Sequence, residues 1–429
     1  MRTQRAGLAF IIVTIFLDML GLGIVFPILP QLISSFLNGN VSAAAQYYGY
    51  FIAVFAAMQF LFSPVLGALS DQYGRRRIVL LSLLGAGLDY ILLAFAPTLA
   101  LLFVGRVIAG VTSASLTAAN AYIADVSPPE KRAQNFGIVG AAFGLGFIVG
   151  PLLGGVFGAW GPRVPFMAAG LLTLLNWLYG FFVLPESLAL ENRRPFSWRK
   201  ANPLASLGAL ARYPVVLSLT ATTICTNLAG LSLQSTWVLY TSYRFGWGAF
   251  DVGLSLAVVG VMAVVVQAVL MRAILPRFGD RRVLLFALVK SAIGFLLYGL
   301  ATQGWMMYAI LIGTSLSFLA QPAAQGLISN AVRSDEQGAV QGALTSVLSL
   351  TAVFGPLIAT GVFSYFTSPE QSFKLPGAAF FLGSALTFLG LILAVRTFAR
   401  YPAQPATDPL GSLSGSAAER VRGSGTPSL

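Results

Sequence analysis

Histidine is absent from all 429 residues, and cysteine occurs once, at Cys225. Without histidine there is no imidazole relay, no Ser-His or Cys-His nucleophile pair and no His-containing zinc site. A single thiol cannot close an intrachain disulfide. Charge is scarce as well: Asp, Glu, Lys and Arg make up 9% of the chain, against about 25% in an ordinary soluble protein. That scarcity excludes a soluble globular protein. Apolar residues account for 57% of the chain, with a mean hydropathy of +0.81, and a bilayer core takes about 20 such residues per crossing. Most of the chain therefore belongs in lipid. A net charge of +12 would suggest nucleic acid in a soluble protein, but here Lys and Arg lie in short connections between apolar runs. That distribution points to membrane orientation and excludes a nucleic-acid partner.

Twelve apolar runs stand between charges or Pro/Gly breaks: 7–27, 46–69, 78–96, 99–124, 134–158, 165–185, 214–238, 250–271, 283–301, 305–330, 338–365 and 377–399. The first carries Asp18 at its centre and lacks a small-residue cleavage pattern, so it reads as a helix and not as a signal peptide. With the N-terminus inside, 21 of the 26 cations fall on inner segments; Arg163, Arg244 and Lys374 fall outside, and Arg106 and Lys290 lie within crossings. Positive residues collect on the cytoplasmic side, which places both termini there.

The most polar internal stretch begins at Glu186 and is broken by Pro195 and Pro203. It reads as a cytoplasmic linker over 186–213, between a six-helix bundle at 1–185 and a second at 214–400, with a disordered tail over 401–429. A shift of 205 residues superimposes Gly74, Arg76 and Arg77 on Gly279, Arg281 and Arg282, and Gly150-Pro151 on Gly355-Pro356. Six helices is an even number, so the two halves share one orientation and form a parallel repeat. The expected fold is an all-α membrane protein of two six-helix bundles, with a substrate site between them. No phosphate loop occurs, so ATP use has no visible basis. No catalytic residue and no metal-ligand set is nominated, and no enzyme activity or cofactor is expected.

Gly67 to Arg77 (Gly-Ala-Leu-Ser-Asp-Gln-Tyr-Gly-Arg-Arg-Arg) resembles the signature turn of the major facilitator superfamily. With Arg106-Val107-Ile108-Ala109-Gly110 and the Gly146 to Gly155 run containing Gly150-Pro151 and Gly154, the chain looks like the twelve-helix drug:proton antiporter branch. Leu83 to Tyr90, Arg244-Phe245-Gly246-Trp247 and Gln337 to Gly342 resemble the tetracycline efflux proteins. Those exporters carry a His where Ala263 stands and an acid where Lys290 stands. The departures point away from a metal-chelated tetracycline and toward a less specialised lipophilic substrate. The resemblance implies a proton-driven exporter of the bacterial inner membrane, with a proton gradient as energy source. Its expected partners are a lipophilic small molecule, protons and the bilayer, and the chain is expected to work as a monomer. Competing readings are a proton-coupled importer and a non-transporting receptor on the same fold.

Asp18 costs roughly 2.5–3.5 kcal/mol at mid-bilayer, so the helix keeps it either to exchange a proton or to hold helices together. Arg106, Gly110, Ser113, Thr117 and Asn120 are spaced to share one helical face, and the Arg lowers the proton affinity of a nearby acid or caps carbonyls. Asp89 reads as a second proton site or as the structural partner of Lys290, which in turn reads as a charge partner or a snorkelling cation. Thr223, Asn227, Gly230 and Gln234, with Gln267, Gln321 and Gln325, are neutral groups suited to orienting substrate or to joining helices. Asp71 is expected to latch the inner side by pairing with Arg75 or Arg76, or by meeting a helix N-terminus across the bundle interface. Gly67 and Gly74 shape that turn. Gly146, Gly150, Gly154 and Gly158 recur every four residues and give one helix a smooth face, with a bend expected at Pro151.

Overall fold

Every regular element in the computed structural model is helical among the residues it describes, which are 2–113, 115–196, 210, 212–333 and 336–402. Half of the expected linker (197–209 and 211) and most of the expected tail (403–429) lie outside the described residues. Lipid offers no hydrogen-bond partner to the backbone, so each crossing must satisfy its own amides within a helix.

In the first half, α1 (Arg2–Val25) and α2 (Leu29–Phe36) share the first crossing, and α3 (Val41–Tyr73) and α4 (Arg75–Phe95) make the next two. The fourth is described as α5 (Leu99–Thr112) and α6 (Ser115–Val126), followed by α7 (Pro129–Gly158) and α8 (Val164–Val183). The second half holds α9 (Pro214–Phe245), α10 (Ala249–Val264), α11 (Met271–Leu300), α12 (Gly304–Thr314), α13 (Ala320–Asn330), α14 (Gln337–Thr367) and α15 (Ala378–Arg400).

The run from Ala249 to Leu300 is helical for 52 residues, about 78 Å at 1.5 Å per residue. That is more than twice the roughly 30 Å of a bilayer core. It turns back at Gly279, whose φ of 73° and ψ of 154° lie outside the helical region. Among the described residues, eleven long apolar runs are therefore twelve crossings. The duplicated turn at Gly74 has φ 100°, and a Cβ there would lie 2.2 Å from the Glu186 carboxylate. Only glycine fits both the backbone and the space.

Within the first bundle α1 packs on α7 and α8, and α4 on α8 and α5; within the second, α15 packs on α9 and α11. The halves meet mainly where α3 crosses α14 and α7 crosses α10. The points of touch share one end of the molecule. Ser42 Oγ lies 2.9 Å from both the carbonyl oxygen and the hydroxyl of Ser364. A Cβ on Gly155 would sit 2.8 Å from the Ala249 carbonyl, and one on Gly253 would sit 2.3 Å from that of Pro151. At the other end, α3 and α14 part around a cleft of about 530 Å³ lined by Gln59, Ser63, Gly67, Asp71, Thr117 and Thr345. Gly137, Gly140 and Gly144, in the first half of α7, face nothing within 4 Å. The two bundles are closed at one end and open at the end that carries the Gly74 and Gly279 turns.

Candidate functional site

Asp18, Asp89 and Arg106 line one small cavity in the first bundle, about 50 Å³, together with Tyr90, Phe55 and Ser113. They come from α1, α4 and α5. Arg106 Nη2 lies 3.3 Å from Asp89 Oδ2, and both residues are buried, at 7% and 2% exposure. The helices can approach this closely because Gly105 has no side chain: a Cβ there would be 2.6 Å from Leu93 and 2.9 Å from Asp89 Oδ1. The pair is only half satisfied, since Asp89 Oδ1 and Arg106 Nε have no hydrogen-bond partner. A buried ion pair with open valences is costly, and the adjoining cavity has room for water. The arrangement can therefore exchange a proton with solvent without rebuilding a packed core.

Of the two readings of Asp89, as a proton site or as the partner of Lys290, the pairing with Lys290 does not occur. Asp89 is held by Arg106 on the neighbouring helix of its own bundle, whereas Lys290 belongs to α11 in the second bundle, its ammonium 5.8 Å from the Phe286 ring centre. The stripe from Arg106 to Asn120 is also divided. Arg106 and Ser113 line the small cavity, Thr117 on α6 lines the open cleft, and Asn120 is half-buried on α6. Ser113 donates its hydroxyl to the Gly110 carbonyl at 2.8 Å.

A larger cavity of about 300 Å³ lies inside the second bundle. Thr223, Asn227, Gly230, Gln267 and Gln321 line it, with Trp237, Phe295 and Tyr298 as its apolar wall. Two irregular helices shape it. Gln267 sits in a π-helical stretch, Val265–Leu270, and Ser317 and Phe318 in a 3-10 stretch, Ser315–Leu319. Such breaks in the α-ladder recur at functional sites. Asn227 donates to Thr351 Oγ1 on α14 at 2.5 Å, so part of its capacity is committed. Gln234 is exposed and off this lining, and Gln325 donates to Gln341 Oε1 at 2.5 Å, also off it.

At the open end Asp71 pairs with Arg75 at 2.5 Å within the first bundle. Arg75 Nε also lies 3.2 Å from Asp125 Oδ2. Glu186 accepts from the Arg75 amide at 2.8 Å, where it caps the start of α4, and Arg76 donates to the Phe181 carbonyl at 2.7 Å. The Arg194 amide donates to the Asp71 carbonyl at 3.1 Å, drawing the chain after α8 over the turn. Asp125 and Glu186 escaped the sequence reading. Their only signal was an acid at a crossing's end, opposite a run of arginines. Gly146, Gly150 and Gly154 lie against the α1 backbone at Phe16, Leu20, Gly23 and Ile24. Pro151, where a bend is expected, lies inside α7, which is one α-helix from Pro129 to Gly158.

Two like-oriented bundles, parted at one end around a polar cleft and each enclosing a polar cavity, define a two-bundle membrane carrier. The chain belongs to the Major Facilitator Superfamily, whose family profile matches residues 11–276 and 268–420. It is 39% identical over 386 residues to the class C tetracycline resistance protein of Escherichia coli, covering 90% of this chain and 95% of that one. It is 28% identical to multidrug resistance protein 2 of Bacillus subtilis, over 90% of this chain and 95% of that one. Among solved structures, the human organic anion transporter MFSD10 is similar at 26% identity and a TM-score of 0.65, covering 91% of this chain and 99% of its own.

Proposed function

We propose that this protein is a proton-coupled exporter of lipophilic small molecules that works by alternating access, with both termini and the open end in the cytoplasm. The observation that carries the reading is the buried Asp89–Arg106 pair opening, together with Asp18, onto one cavity in a fold closed at the opposite end. Protonation of an acid there removes the charge that Arg106 balances, and the guanidinium is then free to take other partners. Rocking of the bundles would change water access to the cavity, which supports proton uptake on one side and release on the other. The driving force suffices: one charge crossing 100 mV yields about 2.3 kcal/mol, roughly a 50-fold gradient.

The relatives named for tetracycline and multidrug resistance support an exported drug-like substrate. The neutral, aromatic-walled lining of the second cavity suits a lipophilic molecule oriented by amides and hydroxyls. The proton sites then belong to the first bundle and substrate orientation draws on the second. Substrate-induced proton release from purified protein tests this division. Asp18→Asn abolishes the release while substrate binding stays measurable, because the amide keeps shape but exchanges no proton. Unchanged release in the variant removes Asp18 from the mechanism.

A further inference from the structure

Carbonyl oxygens, which only accept, fix the direction of the hydrogen bonds around the second cavity. The Thr223 hydroxyl donates to the Leu219 carbonyl at 2.9 Å, Thr226 to those of Thr222 and Thr223 at 3.2 and 3.0 Å, and Ser315 to that of Ile312 at 2.9 Å. Each hydroxyl has one proton, so what it can turn toward a ligand is oxygen lone pairs. The same reasoning orients Asn227. Thr351 gives its proton to the Leu348 carbonyl at 2.6 Å, so its oxygen accepts from the Asn227 amide nitrogen. The nitrogen therefore faces α14, and Asn227 Oδ1 has no hydrogen-bond partner among the described residues.

Among the described residues, the one side chain of this lining that can only donate is Trp237, and its Nε1 is already bonded to Ser255 Oγ at 3.0 Å. The amides of Gln267 and Gln321 can accept as well as donate. The four committed groups thus tip the lining toward acceptance. Formal charge is missing: no Asp, Glu, Lys or Arg lines the cavity among the described residues. The described acids of the second half stand at helix ends or connections, with Asp251 in the first turn of α10, Asp280 beside the Gly279 turn, Glu336 before α14 and Glu370 after it.

We propose that this cavity selects uncharged lipophilic molecules by their hydrogen-bond donors, hydroxyl or N–H groups set against Thr223, Thr226, Asn227 and Ser315. The inference deepens the export reading and rests on it for calling the ligand a substrate. A molecule of the same body without a donor leaves those oxygens unmatched, and a site built to hydrogen-bond a ligand group discriminates by that loss. An ammonium ion brings donors too, but it is buried there with no carboxylate to balance it. The Trp237 and Tyr298 rings meet edge to face at 5.4 Å, so one ring face is already covered. Cation–π attraction to what remains falls short of the cost of burying a lone charge. An anion meets mostly lone pairs.

The test is equilibrium dialysis of the full chain in lipid nanodiscs, with empty nanodiscs as the blank. The probes share one biphenyl body: 4-phenylphenol, its methyl ether 4-methoxybiphenyl, 4-phenylbenzylammonium and biphenyl-4-carboxylate. The phenol binds about five- to tenfold more tightly than the ether, the effect of one hydrogen bond, and more tightly than either ion. Thr223→Val with Thr226→Val brings that ratio below about twofold. Thr223→Ser with Thr226→Ser keeps both oxygens and keeps the ratio, which separates loss of the acceptors from loss of the cavity. Absent phenol binding overturns the proposal, as does an ether or an ion bound as tightly as the phenol. So does a ratio unmoved by the valine pair, or one lost equally in the serine pair. Dialysis needs no gradient, so export is judged apart from it by pH-driven uptake into inverted vesicles. A phenol preferred in dialysis but not taken up supports the selectivity and counts against export; phenol and ether bound alike and both taken up overturn the selectivity and leave export standing.

Discussion

Asp89 and Arg106 form a buried ion pair, 3.3 Å apart, that joins two neighbouring helices of one bundle and leaves an oxygen and a nitrogen without partners. The pair is poorly compensated for its depth. Each group is therefore more costly to leave alone than to remove with its partner.

Asp89→Asn strands the Arg106 charge and costs roughly 3–5 kcal/mol of stability, whereas Asp89→Leu with Arg106→Leu costs less. A double-mutant cycle by thermal unfolding in detergent measures the coupling. Additive losses would show that the two side chains do not interact.

Gly154→Val places a Cβ 2.3 Å from the Ile24 carbonyl, which is backbone and cannot step aside. The expected cost is at least about 1–3 kcal/mol. Gly137→Ala, on the same helix with nothing within 4 Å, is neutral or stabilises by up to about 1 kcal/mol. Melting temperatures compare the two; equal values would mean that the α1–α7 contact is not close.

Asp71→Asn shifts the protein further toward its open form. The latch expected from the sequence brings the carboxylate at the foot of α3 to the start of α14 in the form closed at that end, where it would gain roughly 0.3–1 kcal/mol from the helix dipole. Its loss moves the two-state ratio about two- to fivefold. Spin labels replacing Tyr73 and Gln337 report the distance. An unchanged distribution at every pH would sink the latch.

Glu336 accepts from the Tyr213 hydroxyl and from Arg212 Nη1, the latter at 3.0 Å. The tyrosine bond first, and the arginine after it, hold the carboxyl below its ordinary value of 4.5. A depressed acid adds stability above its unfolded value and loses it as pH falls through the folded one. The attachment of the α9 start to the turn before α14 therefore loosens in acid, below about pH 4.5, and the protection of the Tyr213 amide relative to its intrinsic exchange rate falls there. Protection that is flat with pH, or unaltered by Glu336→Gln, would contradict this.

Twelve crossings were legible because hydropathy and cation placement record position along the membrane normal. Azimuth is not recorded there. Asp89 and Lys290 looked like partners because each is a lone charge inside an apolar run, yet they sit in different bundles. The true partner, Arg106, lies 17 residues on, across one tight connection. The irregular stretches at Gln267 and Ser315 carried no sequence signal, because a π or 3-10 step depends on what packs beside it. Nor is the open end readable from sequence, since one chain encodes both the open and the closed arrangement. The glycine spacing was readable, and its partner α1 was not.

At the closed end the seam sets chain backbone on chain backbone at Gly155 and Gly253, Gly49 lies against the Thr360 side chain, and Ser42 bonds Ser364 between α3 and α14. Dispersion between such surfaces fades steeply, so a gap of 0.5–1 Å already forfeits about a quarter to a half of it. A seam of this kind resists sliding ajar by degrees. Close contact of this kind favours a seam that is shut or fully parted over one held slightly ajar, and so disfavours a leak open to both sides at once.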